Sequence, residues 1–380
     1  MSSVEGLLFI KESFDTYRGG IEGKILTIAK YLHEKKIYKP YLLTSDPNSL
    51  FAEEFSRLGF NVYSVSMKHI WSTRKTLVKT IDNIVNNDNI SIIQSHAFRE
   101  SLIGRLYKKY NPDVIHVSRI HTHIAGSTIS KARIFLYYKL DKLTAKYADC
   151  FVTISKVLKN ELIEKSKINP EKIEVVYNGI DEIGDPDILT NSEDKLDQQI
   201  AIIGEIEERK QQFLAVKAIN ALKSENIQVK LHLIGRAHDK YLIEIEDYIK
   251  SNNLVNHVVF HGQIKHSEIY QIIRPIPVVI LPSLFEGVPT SIIEAMSLNK
   301  IVVSTDTGGT KELINHNNNG FLHQPSDLKG LINILRDIFS KSNQEFNKLR
   351  ENARETYLSN FTTESMMNGL ISIYSKLTFK

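Results

Sequence analysis

The sequence predicts an α/β protein of two domains, each built on a parallel, doubly wound sheet. Three observations carry that reading. Short apolar runs of strand length alternate with longer, helix-patterned stretches along nearly the whole chain. The alternation lapses between Glu182 and Gln198, where Gly184, Asp185, Pro186, Asn191 and Ser192 crowd a segment poor in apolar residues. At 380 residues the chain is also too long for one compact core. The expected division is a first domain over 1–182, a linker over 183–198 and a second domain over 199–362, followed by a final helix over 363–380.

In order, Gly6–Ile10 is apolar and opens the first half as a strand. Arg18, Gly19 and Gly20 form a glycine loop, and a helix follows from Ile21 to about Lys35. Strands are expected at Pro40–Thr44, Asn61–Ser64, Ile90–Gln94 and Val114–Ile120, with helices such as Leu50–Leu58 and Thr73–Asn86 between them. Cys150–Ile154 and a helix from Lys156 close the half. The second half repeats the pattern with strands at Gln199–Gly204, Val229–Gly235 and Val258–Gly262, and helices from Lys210 and up to Lys250. The tail from Glu345 reads as helix with a break near Asn360–Thr363, and Leu370, Ile373, Tyr374 and Leu377 make an apolar stripe.

Composition narrows the class. Apolar content of 42% with 24% charged residues is that of a soluble globular protein, and a net charge of +4 is far from a nucleic-acid-binding balance. A single cysteine, Cys150, has no internal partner and fits a reducing compartment. The apolar runs fall short of the roughly 20 residues of a spanning helix, and the N-terminus reads as a first strand without signal-peptide character. A cytoplasmic location is expected, at most peripheral on the inner face of the plasma membrane.

The chemistry concentrates in 278–313. Val278–Leu281 reads as a buried strand that stops at Pro282, and a loop with Glu286 and Gly287 leads to a helix opening near Thr290 and Ser291. Ile301–Ser304 is a second buried strand, followed by the Gly308–Gly309 turn. Both loops lie at the C-terminal ends of their strands, the edge at which open α/β sheets bind ligands. Two carboxylates, Glu286 and Glu294, stand there with seven residues between them. Ser291-x-x-Glu294 is also the spacing of a capping box, in which the glutamate would only secure its own helix.

Pro282, Ser283, Glu286, Gly287, Pro289, Glu294, Ala295 and Met296 match, residue for residue, the donor-site signature of retaining glycosyltransferases of family 4. The likeness extends to Arg18-Gly19-Gly20-Ile21-Glu22, Ser95-His96 with Glu100 and Gly104, Arg119-Ile120-His121-Thr122, Tyr177-Asn178-Gly179-Ile180-Asp181, Gly204 with Lys210, and Gly308-Gly309 with Glu312. The sequence therefore resembles that family over most of its length. The resemblance implies the GT-B fold, two Rossmann-like domains facing a central cleft, with the acceptor side in the first domain, the nucleotide-sugar side in the second and the last helix packing back on the first.

It also implies a retaining, metal-independent hexosyltransferase acting in surface-glycan assembly. The donor would be a UDP- or GDP-linked sugar, the acceptor a saccharide or lipid-linked saccharide, and no cofactor would be needed. His121 and Glu286 are the implied catalytic residues; Gly19, Gly20, Gly204, Lys210, Gly287, Thr290, Ser291 and Glu294 are the implied donor-binding set. The residue types suit those roles. A carboxylate such as Glu294 accepts from two adjacent ribose hydroxyls, a helix N-terminus and Lys210 attract pyrophosphate, and Glu286 can grip sugar hydroxyls.

Two positions depart from the family pattern. Glu205 stands where an arginine usually follows the phosphate-loop glycine, and a glutamate repels pyrophosphate. Gln94 stands where many members carry a histidine. Asp185-Pro-Asp187 superficially matches a metal-binding Asp-x-Asp, but follows no strand, so no metal site is expected. Ser130–Tyr147 mixes Lys131, Arg133, Lys139, Lys142 and Lys146 with aromatic and aliphatic residues. Such a helix either lies on an anionic membrane surface, which makes that surface a candidate partner, or packs its apolar face inward. The competing functional classes are a nucleotide-sugar hydrolase or epimerase of the same fold, and a non-catalytic partner subunit that has lost donor binding.

Overall fold

The computed structural model describes residues 4–13, 20–68, 70–121, 130–186 and 194–379. It divides into two compact units, Met1–Asn178 with Met366–Lys380, and Gly179–Ser365.

The first unit holds β1 (Gly6–Ile10), β2 (Lys39–Thr44), β3 (Asn61–Ser64), β4 (Ile90–His96), β5 (Ile115–Ile120), β6 (Cys150–Thr153) and β7 (Ile173–Val175). They form one parallel sheet in the order β3-β2-β1-β4-β5-β6-β7. Helices cover both faces, which is why β1 is apolar at every position rather than at alternate ones. Leu7 and Phe9 join a core with Ile25, Phe51, Leu370 and Tyr374. Leu8 and Ile10 point the other way, into a core with Leu77, Ile81, Ile103 and Tyr107. The final helix, Thr363–Thr378, thus contributes its apolar stripe to the first unit's core. Cys150 is buried, and burial pushes its thiol up to about 12.

The second unit holds β8 (Gln199–Ile203), β9 (Lys230–Ile234), β10 (Val258–Gly262), β11 (Val278–Leu281), β12 (Ile301–Thr305) and β13 (Phe321–His323). They pair in the order β10-β9-β8-β11-β12-β13. Both sheets therefore wind outward from their first strand in one direction and then restart on its other side. That reversal lies between β1 and β4 in one unit and between β8 and β11 in the other. At such a reversal the flanking connections leave on opposite faces and open a crevice at the strand ends.

The boundaries differ from the expected ones. The first unit gives way to the second after Asn178, not after residue 182 with a linker to 198, and the second unit ends at Ser365, not at residue 362. The flanks of the expected linker belong to the second unit for a bonding reason. Ile180 donates to Phe361 and accepts from Thr363, Lys195 bridges Ser342, and Leu196 is buried. Residues 187–193 of that linker lie outside the described residues. The helix expected from Lys210 begins instead at Gln212, because Gln211 turns left-handed with φ 55° and leaves Glu208–Lys210 as a separate 3-10 turn. The three-residue strand β13 was too short to show a period in the sequence.

Candidate active site

In the second unit the expected residues fall on the two loops that flank the sheet reversal. Gly204 follows β8, Lys210 ends the 3-10 turn beyond it, and Glu286 and Gly287 follow β11. Glu286 is buried, and its Oε1 accepts from Lys210 Nζ at 2.6 Å and from the Arg209 guanidinium at 3.2 Å. Burial alone would oppose a charged carboxylate; two cations within hydrogen-bond reach offset that cost. Arg209 also donates to the Phe285 carbonyl at 3.1 Å, so the 3-10 turn and the glutamate loop are tied together.

The glutamate loop is held from below as well. Thr305, Ser304 and Thr307 donate hydroxyl hydrogen bonds to the carbonyls of Ser283, Leu281 and Leu284. The Gly308–Gly309 turn lies flat against it. A Cβ at Gly308 would come within 1.8 Å of the Glu286 carbonyl, and one at Gly309 within 1.9 Å of the Gly287 carbonyl. Gly308 also has φ 53°, so both space and conformation require glycine there.

Thr290 opens the helix Thr290–Ser297, with Pro289 at its N-cap and no side-chain cap. Ser291 is therefore inside the helix and Glu294 lies in its second turn. The capping-box alternative fails on this register, because it needs the serine at the cap itself. Glu294 and Ser291 are both buried. Glu205, the expected repellent of phosphate, pairs with Arg236 at 3.2 Å and His238 at 3.4 Å. Glu205, Glu207 and His238 bring ligand-type atoms within 4.8 Å of one another, yet Arg236 and Arg209 already ion-pair with the two carboxylates, which reduces what a cation would gain there. Asp187 lies outside the described residues.

In the first unit His96 ends β4 and His121 follows β5. Their rings stack with centroids 5.1 Å apart, and His96 Nδ1 meets His121 Nε2 at 2.9 Å. On the far side His96 Nε2 meets Gln94 Nε2 at 2.9 Å, and the Gln94 carbonyl accepts from the Tyr374 hydroxyl. Burial holds both imidazoles well below the usual histidine range, with the Arg119 charge adding to it. Arg119 is itself buried; it donates to Asn178 Oδ1 at 3.0 Å, and burial lowers it to about 10. Near the end of β1, Lys11 pairs with Glu22 at 2.9 Å, and the Glu12 amide donates to Glu100, whose carboxyl burial pushes up. Gly104 has a packing role, since a Cβ there would lie 2.2 Å from His116. Gly20 is the exposed first residue of the helix Gly20–Glu34; Gly19 and Arg18 lie outside the described residues, as do Thr122 and His123.

Family models match both halves. Residues 18–182 match Glycosyltransferase Family 4, and residues 189–356 match Glycosyl transferases group 1. The chain belongs to the group 1 glycosyltransferases. An uncharacterized glycosyltransferase of Methanocaldococcus jannaschii is 27% identical, over 94% of this chain and 91% of the relative. The UDP-Gal:alpha-D-GlcNAc-diphosphoundecaprenol alpha-1,3-galactosyltransferase of Escherichia coli is 22% identical, over 79% of each. Among solved structures, a glycosyltransferase from Rickettsia africae superposes with a TM-score of 0.83 at 21% identity, covering 99% of both chains. Anabaena HepE in complex with UDP and glucose gives 0.79 at 19% identity, covering 98% of this chain and 99% of that one. The fold of this glycosyltransferase is GT-B.

For the group 1 glycosyltransferase, then, Gly204, Lys210, Glu286, Gly287, Thr290, Ser291 and Glu294 share one strand-end region of the second unit. His121 belongs to the first. Sequence reasoning missed the ion pair from Lys210 to Glu286, which no spacing reveals across 76 residues. It also missed Gln94 and Tyr374 as partners of the histidines. Gln94 drew notice only as a departure from pattern, and Tyr374 only as part of an apolar stripe.

Proposed function

We propose that this glycosyltransferase transfers a hexose, with retention, from a nucleoside-diphosphate sugar to a saccharide or lipid-linked acceptor in surface-glycan assembly, without a metal. The observation that carries the donor side is the buried Glu286 carboxylate clamped by Lys210 and Arg209 on the loops flanking the sheet reversal. It couples a cation for pyrophosphate to a carboxylate for sugar hydroxyls, so that departure of the phosphate is felt at the group holding the sugar. Glu294, on the following helix, takes the ribose hydroxyls, and the start of that helix with Gly287 takes phosphate oxygens. With no enzymic nucleophile, the leaving phosphate accepts the acceptor proton, and His121 acts as a neutral hydrogen-bonding group on the sugar. The UDP complex of the Anabaena neighbour favours uridine over guanosine in the donor.

The acceptor side rests on the helix Lys131–Thr144. Asp141 is its one buried residue, anchored to buried Arg105 at 2.8 Å. Phe135, Leu136 and Leu143 are exposed rather than packed inward. That pattern, beside Lys131, Arg133, Lys139 and Lys142, suits an anionic membrane surface. No helix among the described residues is long and apolar enough to cross a membrane. The name of the Escherichia coli relative, which acts on a diphosphoundecaprenol acceptor, supports a lipid-linked substrate.

Calorimetry with UDP and GDP, followed by incubation with a panel of UDP-sugars and proton NMR of the new anomeric centre, tests the reading. Binding of neither nucleotide would favour the partner-subunit class; release of free sugar without an acceptor would favour the hydrolase. For the membrane face, each basic residue near an anionic surface is worth about 1 kcal/mol. Lys139, Lys142 and Lys146 changed together to Glu should abolish co-sedimentation with phosphatidylglycerol vesicles at low salt while the melting temperature holds.

A further inference from the structure

Gln94, His96 and His121 form a hydrogen-bonded row, and what fixes the direction of that row lies in the final helix. An imidazole that is neutral has one donor nitrogen and one acceptor nitrogen. Neutrality is set by burial: His96 is fully buried and His121 nearly so, beside the buried Arg119 cation. Two arrangements then satisfy the row. Either every proton points from Gln94 towards His121, or every one points back. The histidines themselves do not choose between them.

Gln94 chooses, because its two ends differ. Its carbonyl oxygen is taken by the Tyr374 hydroxyl, so its amide nitrogen faces His96 and donates. His96 Nε2 must accept, His96 Nδ1 must carry the proton, and that proton goes to His121 Nε2 at 2.9 Å. We propose that Gln94, pinned by Tyr374, is a positioning residue that sets the tautomer of His121, leaving its proton on Nδ1 as the hydrogen bond it can offer outside the row. The inference rests on the reading of His121 as a catalytic group only for its effect on rate; the tautomer itself stands or falls separately.

Nitrogen-15 correlation spectra of the imidazoles, assigned by His96→Gln and His121→Gln, read the tautomers directly. The wild-type protein should show both His96 and His121 protonated on Nδ1. In Gln94→Glu the carboxylate accepts at both ends, so His96 Nε2 must donate and the row reverses, putting the His121 proton on Nε2. Should that variant fold poorly, Tyr374→Phe releases the glutamine without adding charge and should give a mixture of the two tautomers. Turnover should fall at least tenfold in Gln94→Glu with UDP affinity unchanged. A wild-type His121 protonated on Nε2, or one whose tautomer is the same in all three proteins, overturns the proposal. If the tautomer reverses while turnover holds, the positioning is upheld and it is the catalytic reading of His121 that fails.

Discussion

The strand ends beside the reversal of each sheet occupy the same topological place in the two units and are built by opposite means. In the second unit the site is ionic, with a buried glutamate neutralised by a lysine and an arginine. In the first it is a row of uncharged rings whose polarity comes from an amide and a phenol. A neighbouring contrast sharpens the point. The second unit contains its own glutamine–histidine–histidine row, in which His232 meets Gln199 Oε1 at 3.0 Å and His261 at 3.0 Å. There the glutamine nitrogen is taken by the Asp197 carboxylate, so the oxygen faces the histidine and the row runs the other way. One scaffold thus hosts both charged and neutral chemistry, and small third parties decide where protons sit.

The largest separation between the two rows is expected in turnover. His121→Ala should lower it by roughly 10²–10⁴-fold, the range of a positioned acid–base or hydrogen-bonding group, whereas His232→Ala should leave it near wild type. Steady-state rates with a UDP-sugar compare them, and equal losses would erase the distinction. Next comes the ionic site. Glu294→Ala should weaken UDP by about 10–100-fold, the worth of a charge-assisted pair of hydrogen bonds. Glu286→Ala should leave UDP affinity at or above wild type, because Lys210 is released, and depress turnover instead. Calorimetry on both variants tests the division of labour; equal weakening would refute it.

A smaller effect is expected in stability against pH. His96, His116 and His121 are all lowered by burial, so the unfolded chain takes up protons that the folded sites refuse. Their contribution is intact above the ordinary histidine value and is lost as pH falls below it, at up to about 1.4 kcal/mol per pH unit for each imidazole. Melting curves between neutral and mildly acidic pH should show the loss, with a shallower slope in His116→Gln. Least of all should follow from Glu205→Arg. Since the carboxylate pairs with Arg236 and His238, reversing its charge should cost up to about 1 kcal/mol of stability and should not tighten UDP. A tightened complex would mean that Glu205 faces the phosphates after all.

The double α/β architecture was legible because strands buried on both faces read as unbroken apolar runs, and the glutamate loop with its helix because its residues are contiguous from Pro282 to Met296. Pairings between distant segments were not. Lys210 with Glu286 and Tyr374 with Gln94 join loops and helices that only the strand order brings together. Register also escaped: Ser291 and Glu294 fit a capping box on paper, and only the proline at the cap shows that the helix starts two residues too early for it. The apolar stripe of the final helix announced burial, but a phenol within it reads the same whether its hydroxyl is idle or bonded.

That phenol gives the chain a timetable. Tyr374 lies 280 residues after Gln94, and Met366, Met367, Leu370 and Ile373 fill the same core. As synthesis proceeds from the N-terminus, the helices Gly20–Glu34 and Leu50–Arg57 are made early, and the part of that core filled by the last helix waits until the whole of the second unit has been made. The second unit is contiguous from Gly179 to Ser365, whereas the first closes only across the 280 residues between Gln94 and Tyr374. On the proposal above, the direction of the histidine row therefore depends on a helix that is synthesised after everything else in the first unit.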